Sequence, residues 1–163
     1  MTVTTVQKER IQKLFNNVLD KLNGVIPYNT DMCKEVMYYK SIRSYGRCRN
    51  KRIIMLNEYM LECTDEDITK VLVHEVVHTC KDTRGHDYMF HVYGNRVYNA
   101  TGIVVKTKDS IQSATKMHEL GKQRKENNTH IYKCDKCGAK FRRYRRINTN
   151  RYSCACGGHL IEV

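Results

Sequence analysis

His74-Glu75-Val76-Val77-His78 sets two imidazoles four residues apart, with a carboxylate beside the first. On a helix, four residues advance by about 400°, so both rings project from one face roughly 6 Å apart along the axis. Two imidazoles so placed can hold one Zn²⁺ at ~2.0–2.1 Å each. Glu75 lies on the adjoining strip of surface and can reach a water on the metal without being a ligand. Zinc lowers the pKa of such a water to about 7; Glu75 then takes its proton and the nucleophile attacks a polarised carbonyl. A catalytic zinc site needs a third protein ligand and an open fourth position. A metzincin arrangement would require a glycine at position 81 and a histidine at 84, but Lys81 and Arg84 stand there. His86, beyond a short loop containing Gly85, is the favoured third ligand, with Glu119 and His91 as rivals.

A second cluster lies near the end of the sequence. Cys134-Asp-Lys-Cys137 and Cys154-Ala-Cys156 approach the four-cysteine zinc-ribbon spacing, with one residue rather than two inside the second pair. His159 is an alternative ligand should that short pair fit poorly. A module of about 33 residues cannot bury a self-sufficient core. Structural zinc would contribute on the order of 10–16 kcal/mol to its folding. Two zinc ions per chain are therefore expected, one catalytic and one structural. The other four cysteines, Cys33, Cys48, Cys63 and Cys80, are scattered singly and read as small buried hydrophobes. No secretion signal precedes them, so a disulfide framework is not expected and a reducing, cytoplasmic setting is.

Between the cysteine pairs, Lys140, Arg142, Arg143, Arg145, Arg146 and Arg151 interleave with Phe141, Tyr144 and Tyr152. Guanidinium groups bind phosphates, and aromatic faces stack on bases. The charge balance points the same way. The chain carries 29 Lys+Arg against 17 Asp+Glu, a net +12, and residues 121–163 hold 11 of the basic and only 3 of the acidic residues. A polyanion is the expected partner, DNA above all, with Lys140, Arg142, Arg143, Tyr144, Arg145, Arg146 and Arg151 as the contacting set. No base-reading motif is visible, so little sequence preference is expected. No apolar run approaches the ~18 residues of a membrane helix, so no membrane partner is expected.

These residues need elements to hold them. Apolar positions from Val6 to Leu22 recur at helical spacing behind Thr4 and Thr5. Residues 34–57 read as an antiparallel meander. Thr64 caps a helix through about residue 80, with Asp67 reaching back, and Asp87 caps another that Gly102 closes. Residues 103–107 read as a strand, 109–120 as a weak helix and 121–130 as a polar linker.

Taken together, the Leu14-Phe15 and Leu22-Asn23 helix, Tyr45-Gly46-Arg47-Cys48, His74–His78, Gly85-His86 with Phe90 and the terminal cysteine module resemble, in order, the SprT-like family of zinc metalloproteases. The resemblance implies an α+β, zincin-like domain over residues 1–122, with helices on a small antiparallel sheet, a linker over 123–130 and a zinc ribbon over 131–163. It implies His74, His78 and His86 on zinc, Glu75 as general base, and cleavage of proteins bound or crosslinked to DNA. Asp87 stands where members often have glycine, and the long regulatory tail of eukaryotic members is missing. A monomeric bacterial, phage or viral protein of nucleoid or host cytoplasm is the corresponding expectation. Two alternatives remain open: a non-proteolytic zinc-dependent nucleic-acid-binding protein, and a general metallopeptidase indifferent to DNA.

Overall fold

The computed structural model describes residues 3–107 and 111–163. Its elements run α1 (Thr5–Leu22), β1 (Met37–Tyr39), β2 (Gly46–Arg49), β3 (Ile53–Asn57), a 3₁₀ turn (Glu58–Glu62), α2 (Asp65–Val77), α3 (Tyr88–Thr101), α4 (Thr115–Asn127), β4 (His130–Cys134), β5 (Lys140–Arg143) and β6 (Leu160–Glu162). The fold is α+β, in two compact units, Met1–Met117 and His118–Val163.

In the first unit, α1 opens on a complete Thr4–Gln7 capping box and turns Ile11, Phe15, Val18 and Leu22 inward. Those positions lie on one stripe of a 3.6-residue helix. Helix α2 packs against α1, β2, β3 and α3. Ile68, Val71, Leu72, Val73, Val76 and Val77 are all buried, as expected of a helix surrounded by neighbours. Thr64 accepts from the Asp67 N–H at 3.2 Å. The Asp67 carboxylate, expected to complete a capping box, is engaged instead by the Ser113 hydroxyl.

The sheet differs from the expected antiparallel meander. Its order is β1–β3–β2. Strand β2 pairs with β3 antiparallel, but β1 pairs with β3 parallel, in register Met37↔Met55. Local β-propensity marks strands and leaves their direction open; here the loop from Tyr39 to Gly46 is long enough to bring the chain to the far edge. Strand β2 is thus an edge. Asn57 N–H donates to Tyr45 O at 2.8 Å. By antiparallel alternation, Arg47 and Arg49 also face β3, and the backbone groups of Gly46 and Cys48 turn outward.

Residues 103–107 form no strand; Ile103 and Val105 pack on the core in an irregular segment. Residues 109 and 110 of the expected weak helix lie outside the described residues, and α4 begins only at Thr115. It continues to Asn127, so much of the expected linker is helical. Lys122, Gln123, Arg124, Lys125 and Glu126 are good helix formers, and polarity on every face did not prevent the turn. Cys63 and Cys80 are buried as expected, whereas Cys33 is exposed and Cys48 half-buried. Among the described residues, no helix is long and apolar enough to cross a membrane.

In the second unit β4 is central, antiparallel to β5 and β6. Its buried apolar core consists of Tyr132, Cys134, Cys154 and Leu160, with Ala139, Phe141 and Ile147 packed around it.

Candidate functional site

His74 lies in the last turn of α2 and His78 caps that helix. The chain then loops over Thr79–His86 into α3, whose N-cap is Asp87, accepting from the Phe90 N–H at 3.0 Å. Gly85 adopts φ +68°, a left-handed turn open to glycine that swings the chain just before His86. The three Nε2 atoms then meet: His74–His78 3.1 Å, His78–His86 3.2 Å and His74–His86 3.1 Å. Glu119 and His91, the rival ligands, are not part of this group.

This near-equilateral triangle suits a metal. A tetrahedral zinc with ~2.0–2.1 Å bonds sets its nitrogens about 3.3 Å apart. Burial lowers the pKa of His74 to about 4, helped by the neighbouring His86. Burial likewise takes His78 to about 4, with His74, His86 and Lys51 adding to the effect. The His86 pKa is also lowered, by burial first and His91 second. All three rings are neutral at physiological pH, with lone pairs available to a cation. The triad is thus compatible with zinc.

Two residues outside the motif fix the rings. Phe90, fully buried on α3, lies beneath all three, with ring centroids 5.0, 4.7 and 4.8 Å from His74, His78 and His86. The backbone of Lys106 hydrogen-bonds the His74 ring. A backbone partner on a ligating histidine fixes its tautomer and orientation. The irregular 103–107 segment therefore serves the site directly.

Glu75 is only 6% exposed. Burial pushes its pKa up to about 8, opposed by the Cys48 backbone N–H, which donates to it, and by Arg47. Its companion is Gly46. A Cβ there would sit 2.7 Å from Val71 Cγ1 and 2.8 Å from both Cγ and Oε1 of Glu75. Gly46→Ala must displace Glu75 or β2; a loss of about 1–3 kcal/mol is expected for such overpacking, measurable as a lower thermal midpoint. A cleft of about 940 Å³ opens over the triad, walled by β2 and the residues before it, the Asn50–Lys51 turn and the loop ending at His86.

The second candidate centre is built from the four cysteines. Cys134 Sγ lies 3.5 Å from Cys156 Sγ, and Cys137 Sγ 3.6 Å from Cys154 Sγ. All four sulfurs fall within 4.8 Å of one another, and none is in a disulfide. Zinc with ~2.3 Å Zn–S bonds sets its sulfurs about 3.8 Å apart, so this set is compatible with zinc too. His159 is not part of it. The Cys137 N–H foremost, with that of Lys136, lowers the Cys134 pKa to about 7. Gly158 makes room for that sulfur; a Cβ would stand 2.5 Å from Cys134 Sγ.

The basic residues Lys140, Arg142, Arg143, Arg145, Arg146 and Arg151 are all exposed, as is Tyr144 at 64%. Arg146 is partly engaged by Glu162 at 3.2 Å. Tyr144 also lines a shallow hollow of about 360 Å³ with Arg124, Lys125 and Asn128 from the end of α4. Those two cations escaped the sequence reading because they fall in the stretch read as a linker.

The family model described as SprT-like matches residues 11–109, a stretch that contains the whole histidine site. A "Protein SprT-like" of Oceanobacillus iheyensis is 26% identical over 150 residues, covering 90% of this chain and 93% of that one. One from Streptococcus pyogenes serotype M18 is 31% identical over 111 residues, 65% of this chain and 66% of its own. One from Streptococcus uberis is 48% identical over 40 residues, 24% of this chain and 27% of its own. With a family match over more than half its length, the chain belongs to the SprT-like family of metallopeptidase-like proteins.

Proposed function

We propose that this chain is a zinc-dependent endopeptidase of zincin type that cleaves proteins bound or crosslinked to DNA. One observation carries the reading: three converged imidazoles share a cleft with a buried carboxylate and an open strand edge. His74, His78 and His86 would hold the catalytic zinc through Nε2. Zinc bound there supplies Lewis acidity, acidifying water and polarising a carbonyl. Glu75 accepts the proton of the attacking water on its carboxylate and passes it to the departing amine. A substrate segment lies along the outer edge of β2, extended, pairing with the outward backbone groups of Gly46 and the carbonyl of Cys48, whose N–H Glu75 already takes. Backbone pairing of this kind is loosely selective for side chains.

The four cysteines would hold a second, structural zinc. The ribbon then presents Lys140, Arg142, Arg143, Tyr144, Arg145, Arg146 and Arg151 to a nucleic-acid backbone, delivering the cleft to proteins already seated there. The reading is tested by incubating the protein with a DNA-bound basic protein, with and without DNA and with and without a zinc chelator. Cleavage is expected only when DNA is present and chelator absent. Neutralising Arg142, Arg143, Arg145 and Arg146 together is expected to weaken DNA binding at least tenfold and flatten its salt dependence, since each lost phosphate contact removes about 0.9 from the log–log slope. Cleavage indifferent to DNA and to these four changes would favour a general peptidase instead.

A further inference from the structure

We propose that Lys51 is a positioning residue for His86: its ammonium group, carried on a strained turn, holds the loop that returns the third imidazole to the other two. The inference rests on reading the triad as a zinc site. Lys51 Nζ donates to the carbonyl oxygens of Cys80 at 2.7 Å, Lys81 at 2.7 Å and Thr83 at 2.6 Å. An ammonium has three protons, so every donor is used. All three acceptors lie between His78 and His86. They follow the end of α2, where carbonyls lack helical partners and a cation is favoured. One side chain thus ties the β2–β3 hairpin, which walls the cleft, to the segment whose path decides where His86 arrives.

The turn that carries Lys51 is a backbone outlier. Arg52 N–H donates to Arg49 O at 3.1 Å, with Asn50 at φ +52° and Lys51 at φ +55°. This is the type I′ pattern, which favours asparagine and glycine at its two central positions. Asparagine suits the first. Lysine is sterically disfavoured at the second, where glycine would be free of strain. Glycine would improve the turn and lose only the ammonium. Strain held at a position whose side chain makes three bonds beside the site points to what that side chain does there. The carbonyl oxygen of Lys51 is itself anchored, accepting from Asn29 Nδ2 at 2.9 Å, so the base of the arm is fixed as well as its tip.

Lys51→Gly separates the two roles, because it relieves the turn while removing the ammonium. Zinc affinity is measured by chelator competition, the histidine-site ion being the one that His74→Ala loses. Lys51→Gly, folded by circular dichroism, is expected to bind that ion at least tenfold more weakly. Amide hydrogens of residues 81–86 are expected to exchange faster in its metal-free form, and butylammonium, which replaces the missing side chain, is expected to restore part of the affinity where matched sodium chloride does not. Unchanged zinc affinity together with unchanged exchange would overturn the inference. A parent protein with no ion sensitive to His74→Ala would sink the zinc reading itself, and the exchange comparison would still decide whether Lys51 holds the loop.

Discussion

Glu75→Gln is expected to slow peptide-bond cleavage about 10³-fold while leaving the fold and the zinc content intact, since general-base catalysis contributes roughly 10²–10⁴. Glutamine has the same shape and can still accept the Cys48 N–H that Glu75 accepts, but its amide cannot take a proton from water. Steady-state cleavage and metal analysis of parent and variant read both halves. Equal rates would remove Glu75 from the mechanism and the proposed function with it. The same variant carries a pH signature in metal-free protein. The folded-state pKa of Glu75 is raised from 4.5 to about 8 by burial. Between those values the native state holds a proton that the unfolded state has released. The contribution of Glu75 to stability is therefore full below pH ~4.5 and is lost as pH rises through about 8. Metal-free Glu75→Gln should melt above the parent at pH 8, with the gap closing towards pH 4.5.

Cys134→Ser, or removal of metal by a strong chelator, is expected to unfold the His118–Val163 unit while the Met1–Met117 unit keeps its helices. Four buried residues make the core of that second unit. So few side chains cannot offset the conformational entropy of ordering some tens of residues. Metal must supply the difference, on the order of 10–16 kcal/mol for structural zinc at neutral pH. The loss should be cooperative, because Cys134 lies at the end of β4, the strand that both β5 and β6 pair with. Limited proteolysis would then cut within residues 128–163 and spare the first unit, and DNA binding by the basic hairpin would go with it. A second unit that stays protected after zinc is stripped would overturn this.

The convergence of His74, His78 and His86 was legible because it is mostly local. Four residues on a helix and one short loop decide it, and Thr64, Asp87 and Gly102 mark where the helices begin and end. What positions those rings was not. Phe90, Lys106, Lys51 and Gly46 reach the site from other elements, and no spacing rule links Gly46 to the side chain of Glu75. The parallel pairing of β1 escaped for a similar reason, since propensity marks a strand and not its neighbour. Residues 121–127 read as a linker on polarity alone, although their helix propensity points the other way and the chain is helical there. Glu119, one of the rival ligands, is exposed on α4 and is not part of the histidine group.

Phe90 beneath three uncharged imidazoles has a consequence for loading. The imidazoles themselves need release no proton when an ion arrives, because burial already keeps them neutral. Nor is much motion needed, because the aromatic disc holds the rings in place beforehand. Calorimetric titration in buffers of different ionisation enthalpy should register no protons from the three imidazoles at neutral pH; those released at this centre come from Glu75, which burial keeps protonated until the cation arrives, and from water on the ion. The four-thiol centre should release several equivalents, so the two centres of one chain would compete for scarce metal with unequal sensitivity to acidity, the thiol centre losing first as pH falls.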